Sequence, residues 1–172
     1  MVIKMYFERF PTYEYDLKNN DQRTLITDLL RRVNLRSNVS ANTLVFDEYT
    51  VADGEQPDTV ASKYYGNSMY HWVVVTVNNI QSRYDWPLDQ VALSNYVNDK
   101  YSNPDGTHHH EISASSGDTT KKLTVASDTT GAVAVTNYEY EQTLNDEKRK
   151  IRLLDRGYVL QFKEEFEKLI KR

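Results

Sequence analysis

The stretch Phe46–Pro87, FDEYTVADGEQPDTVASKYYGNSMYHWVVVTVNNIQSRYDWP, holds the densest apolar run of the chain and both of its tryptophans. Leu44, Val45, Phe46, Tyr49 and Val51 read as a strand, because aromatic and β-branched side chains suit a half-buried pleated surface. Asp53-Gly54 is a turn signal, and Pro57 sits where the first helical turn loses nothing by lacking an N–H. A helix then runs through DTVASKYYG. Val60/Tyr64 and Ala61/Tyr65 are i,i+4 pairs, and Gly66 stands where helices commonly end in a left-handed residue. Met69, Trp72, Val73, Thr76 and Val77 recur at helical spacing, as a second helix starting at Asn67 or Ser68 and ending at Asn78-Asn79 would require. The β-branched run Val73-Val74-Val75 suits a buried strand equally well, and spacing alone leaves both readings open.

On the N-terminal side, MYFERFPTYEY is an aromatic, extended segment broken at Pro11, followed by the polar turn DLKNNDQ. In TLITDLLRRVNL, Leu25, Leu29 and Val33 lie four apart with Ile26 and Leu30 beside them, which predicts an amphipathic helix capped by Asp21 or Thr24. Arg31, Arg32 and Arg36 fall at its end, where cations complement the helix dipole. Ser37 to Thr43 is a polar connector. On the C-terminal side, Asp89 to Tyr101 reads as a short amphipathic helix and Pro104-Asp105-Gly106 as a turn. The alternations Leu123/Val125 and Val133/Val135 read as hairpin strands with little apolar volume, so a partner is expected to order them. Tyr138 to Lys150 reads as a charged helix, Ile151 to Leu154 as a strand, and Tyr158 to Ile170 as a helix with Val159, Phe162, Phe166, Leu169 and Ile170 on one face. The expected class is α+β, in three regions: an arm and helix (1–43), a strand–helix–helix module (44–101) and a β-rich, helical C-terminal region (102–172).

Composition narrows the function classes. With 39% hydrophobic residues and a mean hydropathy of -0.70, a modest core is expected, of the kind often completed against partners. Thirteen tyrosines against five phenylalanines suit either interfaces or the rim of a small core. The absence of cysteine removes disulfides, thiolate nucleophiles and Cys-type zinc sites. The apolar run Trp72–Val77 is far shorter than the roughly 20 residues that cross a bilayer. The start MVIKMYFERF is interrupted by Glu8 and Arg9, unlike a secretory leader, so synthesis in the cytoplasm with no membrane association is expected. A net charge of -4 is unlike the basic footprint of a nucleic-acid binder, and it weighs against a phosphate-binding role for Arg31, Arg32 and Arg36.

Little in the chain suggests catalysis. His108-His109-His110-Glu111 is the one metal-like run; on a regular strand His108 and His110 would share a face, but a catalytic zinc needs a third ligand, and His71 is the only other histidine. The carboxylate pairs Asp47/Glu48, Glu139/Glu141 and Glu164/Glu165 read as solvated faces. No phosphate loop, HExxH or nucleophile elbow occurs. No catalytic, cofactor or metal residue is assigned.

YTVADGEQPDTVASKYYGN resembles the opening of a LysM module, with Tyr49-Thr50-Val51, the Asp53-Gly54-Glu55 turn, Val60-Ala61 and Tyr65-Gly66 as the matching parts. The quick return through a second strand typical of that module is missing. The continuation is instead similar to the small LysM-like baseplate wedge subunit of contractile-tailed bacteriophages. The matching pieces are Tyr13 to Asp16, Thr27 to Arg36, LVFDEYTVADGEQPDTVASKYYGN, HWVVVTVNNI with Trp86-Pro87, the histidine strand and NYEYEQTLNDEKRKIRLLD. The resemblance implies a non-enzymatic structural subunit of the virion. Present in six copies, it would join neighbouring wedges and contact the sheath-initiating, lysozyme-like subunit and the core wedge subunits. It also favours the helical reading of Met69 to Asn78. The expected partner contacts are the exposed aromatics Tyr6, Phe7, Phe10, Tyr13 and Tyr15 and the arginines Arg31, Arg32 and Arg36, with Trp72 and Trp86 in the core. The competing readings are a peptidoglycan or chitin-oligomer binder and, more distantly, a metal enzyme at His108/His110.

Overall fold

A computed structural model describes residues 5–35, 43–114 and 120–171. In chain order the strands are β1 (Thr12–Tyr15), β2 (Thr24–Thr27), β3 (Phe46–Thr50), β4 (Thr107–Ser113), β5 (Lys122–Val125), β6 (Val133–Thr136) and β7 (Lys150–Leu154). The helices are α1 (Pro57–Tyr65), α2 (His71–Val77), α3 (Gln90–Lys100), α4 (Asn137–Arg149) and α5 (Val159–Ile170). They fall into two compact units that interleave along the chain. The first comprises Met1–Val51, Glu55–Arg83 and Ile151–Arg172, the second Ala52–Gly54 and Tyr84–Lys150. The α+β class holds.

In the first unit, α1 begins with Pro57 and ends at Gly66, whose φ of 75° is cheap for a residue without Cβ. Asn67 then starts the next turn by accepting from the Met69 N–H at 2.9 Å. The run that propensity left ambiguous is helical. Trp72, Val73, Val74 and Val77 are all buried on α2, which packs against α1. Tertiary burial outweighs the slight helix penalty of β-branched residues. Around Trp72, the core gathers Phe10, Phe46, Val73, Val77, Leu154, Val159, Phe166 and Ile170. The strand that pairs with β3 is β7, reached only after the whole sequence of the second unit. Asn78 fastens it: its amide donates to the carbonyls of Val74 (2.9 Å) and Arg152 (2.8 Å) and its carbonyl accepts from Arg152 N–H (2.9 Å). Tyr65 adds a bond from its hydroxyl to the Leu154 carbonyl at 3.0 Å.

The predicted helix over Thr24 to Arg36 does not form among the residues described. Thr24–Thr27 is a strand, paired antiparallel with Thr12–Tyr15 in the register Thr12↔Thr27, Tyr13↔Ile26, Glu14↔Leu25, Tyr15↔Thr24. Two local causes outweigh the helical spacing. Three of its four residues are β-branched, and the preceding segment is a strong turn. Asn19 (φ 50°) and Asp21 (φ 60°) adopt left-handed conformations that Asn and Asp tolerate best. The Asp16 carboxylate accepts from the N–H groups of Lys18 (3.1 Å), Asn20 (3.2 Å) and Asp21 (2.7 Å), which closes the hairpin.

The second unit packs α3 against α4 and carries the sheet β5-β4-β6, antiparallel throughout. Asp89 caps α3 by accepting from Ala92 N–H at 2.8 Å. Thr136 and Glu139 form a reciprocal capping box at the start of α4. Glu139 is exposed, as a solvated carboxylate should be, but Glu141 is buried. Its Oε1 accepts from Lys100 Nζ and Tyr101 Oη, each at 2.7 Å. Burial alone would raise the Glu141 pKa, but the two donors hold it below the usual carboxylate range. Asn145, also buried, brackets Leu88 through both main-chain groups, at 2.7 and 2.9 Å. The strands β4, β5 and β6 are formed within the single chain.

Candidate protein–protein interface

The arm residues singled out by the sequence divide sharply. Phe10 is buried in the core of the first unit, so it offers no free surface. Tyr6 is half-buried: its ring stacks on Trp72 at 5.9 Å and meets Phe10 edge-on at 5.0 Å. The reason is Arg9, a charge that reads in the sequence only as an interruption of an apolar run. Its guanidinium is buried, pairs with Glu167 on α5 and lies over the Trp72 ring at 5.2 Å. That pairing draws the short turn Phe7–Arg9 onto the aromatic core and takes Tyr6 and Phe10 with it. Phe7 stays exposed.

Tyr13 and Tyr15 do form a surface. They lie on one face of the hairpin, exposed, with rings 6.3 Å apart in an edge-on pair. Their cross-strand neighbours are Ile26 and Thr24. Asp28 N–H donates to the Pro11 carbonyl at 2.8 Å, and this alternation turns the main-chain groups of Thr12 and Glu14 away from β2. Among the described residues, β1 pairs only with β2, so this outer side of β1 is a sheet edge. Arg31 donates to Asp28 (2.9 Å) and to the Ile170 carbonyl at the end of α5 (3.3 Å), so it complements the dipole of a distant helix and not its own segment. Arg32 donates to the amide oxygens of Asn34 (3.1 Å) and Asn79 (3.0 Å). Arg36 lies outside the described residues.

Leu25 and Leu29, expected on the apolar stripe of an amphipathic helix with Leu30 beside them, are exposed, and so is Leu30. The signal that could have found this is DLKNNDQ, a turn flanked by two alternating β-branched and aromatic segments.

The histidine run is on β4, but an irregularity in the ladder between Thr107 and His109 breaks the expected alternation. His108 stacks face to face on Tyr140 at 3.9 Å and 10°, and its Nδ1 lies 2.9 Å from Nδ1 of His109. His109 Nε2 is 3.8 Å from a Glu111 oxygen. Among the described residues no three His, Asp or Glu side chains converge as a metal site would require. None of the helices described is long and apolar enough to cross a membrane.

No curated protein matches the chain. A family model does: that of phage base plate wedge protein 53 matches residues 5–123, which takes in the hairpin, α1, α2, α3 and β4. With well over half of its length matched, this chain belongs to the phage base plate wedge protein 53 family and is a structural protein of the virion's tail baseplate.

Proposed function

We propose that the chain joins neighbouring wedges during baseplate assembly through protein–protein contacts, without enzymatic activity. Six copies would encircle the tail axis, each touching the sheath-initiating, lysozyme-like subunit and the core wedge subunits. The observation that carries this reading is the hairpin. Two strands alone are marginally stable in water, yet this pair keeps Tyr13 and Tyr15 exposed on one face and an open β1 edge. Such a feature suits an element completed by another protein. Phe7, Tyr13, Tyr15, Arg31, Arg32 and Arg36 are the proposed contacts. Tyr6 and Phe10 serve them indirectly, by holding the arm to the core.

Co-expression with the other wedge proteins of the same phage should yield a stable complex that copurifies and closes into rings. A chain that remains monomeric beside all of them would end this reading. The carbohydrate-binding alternative is supported by the Tyr49–Gly66 pattern alone. Titration of the full chain with chito-oligomers, with no chemical-shift change at millimolar ligand, would remove it.

A further inference from the structure

Resting on that reading, we infer that Leu29 and Leu30, with Leu25 beside them in sequence on β2, form an apolar knob that fills a carboxylate-rimmed socket on another wedge subunit. The three side chains are 61%, 92% and 65% exposed respectively. Scattered surface leucines need no explanation, but three within six residues, two of them adjacent at the base of an exposed hairpin, are unusual for a free surface.

The backbone beneath them is held. Leu29 N–H donates to the Thr27 carbonyl at 3.0 Å, and Leu30 N–H reaches Asp28 Oδ1 at 3.3 Å. Arg31 ties the next residue to Asp28 and to the end of α5, and Arg32 ties the one after to Asn79 beyond α2. Docking therefore fixes few additional torsions, which favours affinity. The short strand β2 continues directly into this segment, so hairpin and knob are presented together.

Charge selects the occupant. Residues 28–35 carry Arg31 and Arg32 against Asp28 alone, in a chain whose net charge is -4. Asp28 balances Arg31. The bonds of Arg32 run to neutral amide oxygens, so its charge is not offset by a carboxylate there. A second copy docking through the same face would set Arg32 against Arg32, whereas a partner with an acidic rim complements it. The occupant is thus a different wedge subunit offering an apolar depression edged by Asp or Glu.

The test uses the full chain co-expressed with the other wedge proteins, carrying a photo-crosslinking benzoylphenylalanine in place of Leu30. The expected crosslink maps to another wedge protein, beside acidic residues. A crosslink to a second copy of this chain, or none within the assembled wedge, overturns the inference. The pair Leu29→Ser and Leu30→Ser should weaken incorporation at least tenfold while leaving the melting temperature of the free chain unchanged. Arg32→Glu should lower the association rate severalfold and reduce its salt dependence. Normal incorporation of the serine variant refutes the knob but leaves the wedge-joining role standing. Failure of the unsubstituted chain to assemble refutes both.

Discussion

Two segments of the first unit carry nearly the same apolar pattern and meet opposite fates. In Trp72–Val77 the apolar residues recur at helical spacing, form α2 and are almost entirely excluded from water. In Leu25–Val33 the same spacing recurs, yet the residues form a strand and a tethered loop with three leucines in solvent. Propensity would have ranked them the other way, since the buried helix is the more β-branched of the two. The difference is set by the neighbours. Asn67 caps the short turn Ser68–Tyr70 that leads into one segment, while a turn closed by Asp16 precedes the other and delivers it to β1. Apolar periodicity reports that a face will be covered, not by which molecule.

Trp72→Ala should break the buried side of the comparison most severely. It deletes the ring that Tyr6, Arg9, Phe162 and Phe166 pack against and should cost about 3–5 kcal/mol. Denaturant unfolding would measure it, with loss of the two-state transition as the extreme outcome. Asn78→Ala removes the clamp between α2 and β7 and leaves the main-chain groups of Arg152 without those bonds. A loss of about 1–3 kcal/mol in the same measurement is expected.

These two positions also show how much of the fold was legible. Four of the helices, α1, α3, α4 and α5, were readable from Pro57, Gly66 and periodicity, because those signals are local, whereas the β-branched run of α2 left its spacing ambiguous. The partner of β3 was not readable, because β7 lies about a hundred residues further along the chain and Asn78 gives no sign in sequence of reaching Arg152. Nor was Arg9, whose burial depends on Glu167 and Trp72 meeting in space. At the candidate interface, Tyr13 and Tyr15 were legible as exposed aromatics. The three leucines were misplaced because amphipathic spacing takes no account of the turn that redirects the chain, and Phe10 because the burial of Arg9 that draws it inward depends on distant residues.

A pH dependence should follow from Glu141 in the second unit. Its folded pKa is lowered, by the Lys100 and Tyr101 donors acting against burial. Its stabilisation is therefore full above the unfolded value of about 4.3 and is lost as pH falls through the lower folded value. Melting temperatures taken from about pH 6 down to about pH 3 should show a decline that Glu141→Gln flattens. An identical slope in both proteins would show that another group governs it.

On the exposed side the effects on the free chain should be small. Asp16→Ala should be felt locally, at the turn whose N–H groups its carboxylate accepts from. Amide protection across residues 12–15 and 24–27 should fall while global unfolding hardly moves. The serine pair at Leu29 and Leu30 should change stability by no more than about 0.5 kcal/mol, because both side chains are largely exposed. A large loss there would mean that these leucines are buried in solution and would erase the contrast with α2.

The most direct measurement is hydrogen exchange on the full chain, alone and within a wedge assembled from co-expressed subunits. The arm, residues 12–35, should be only weakly protected in the free chain and become strongly protected on assembly, while α2 and β7 are slow in both. Unchanged exchange in the arm on assembly, with new protection elsewhere, would contradict the claim that this hairpin is completed by a partner.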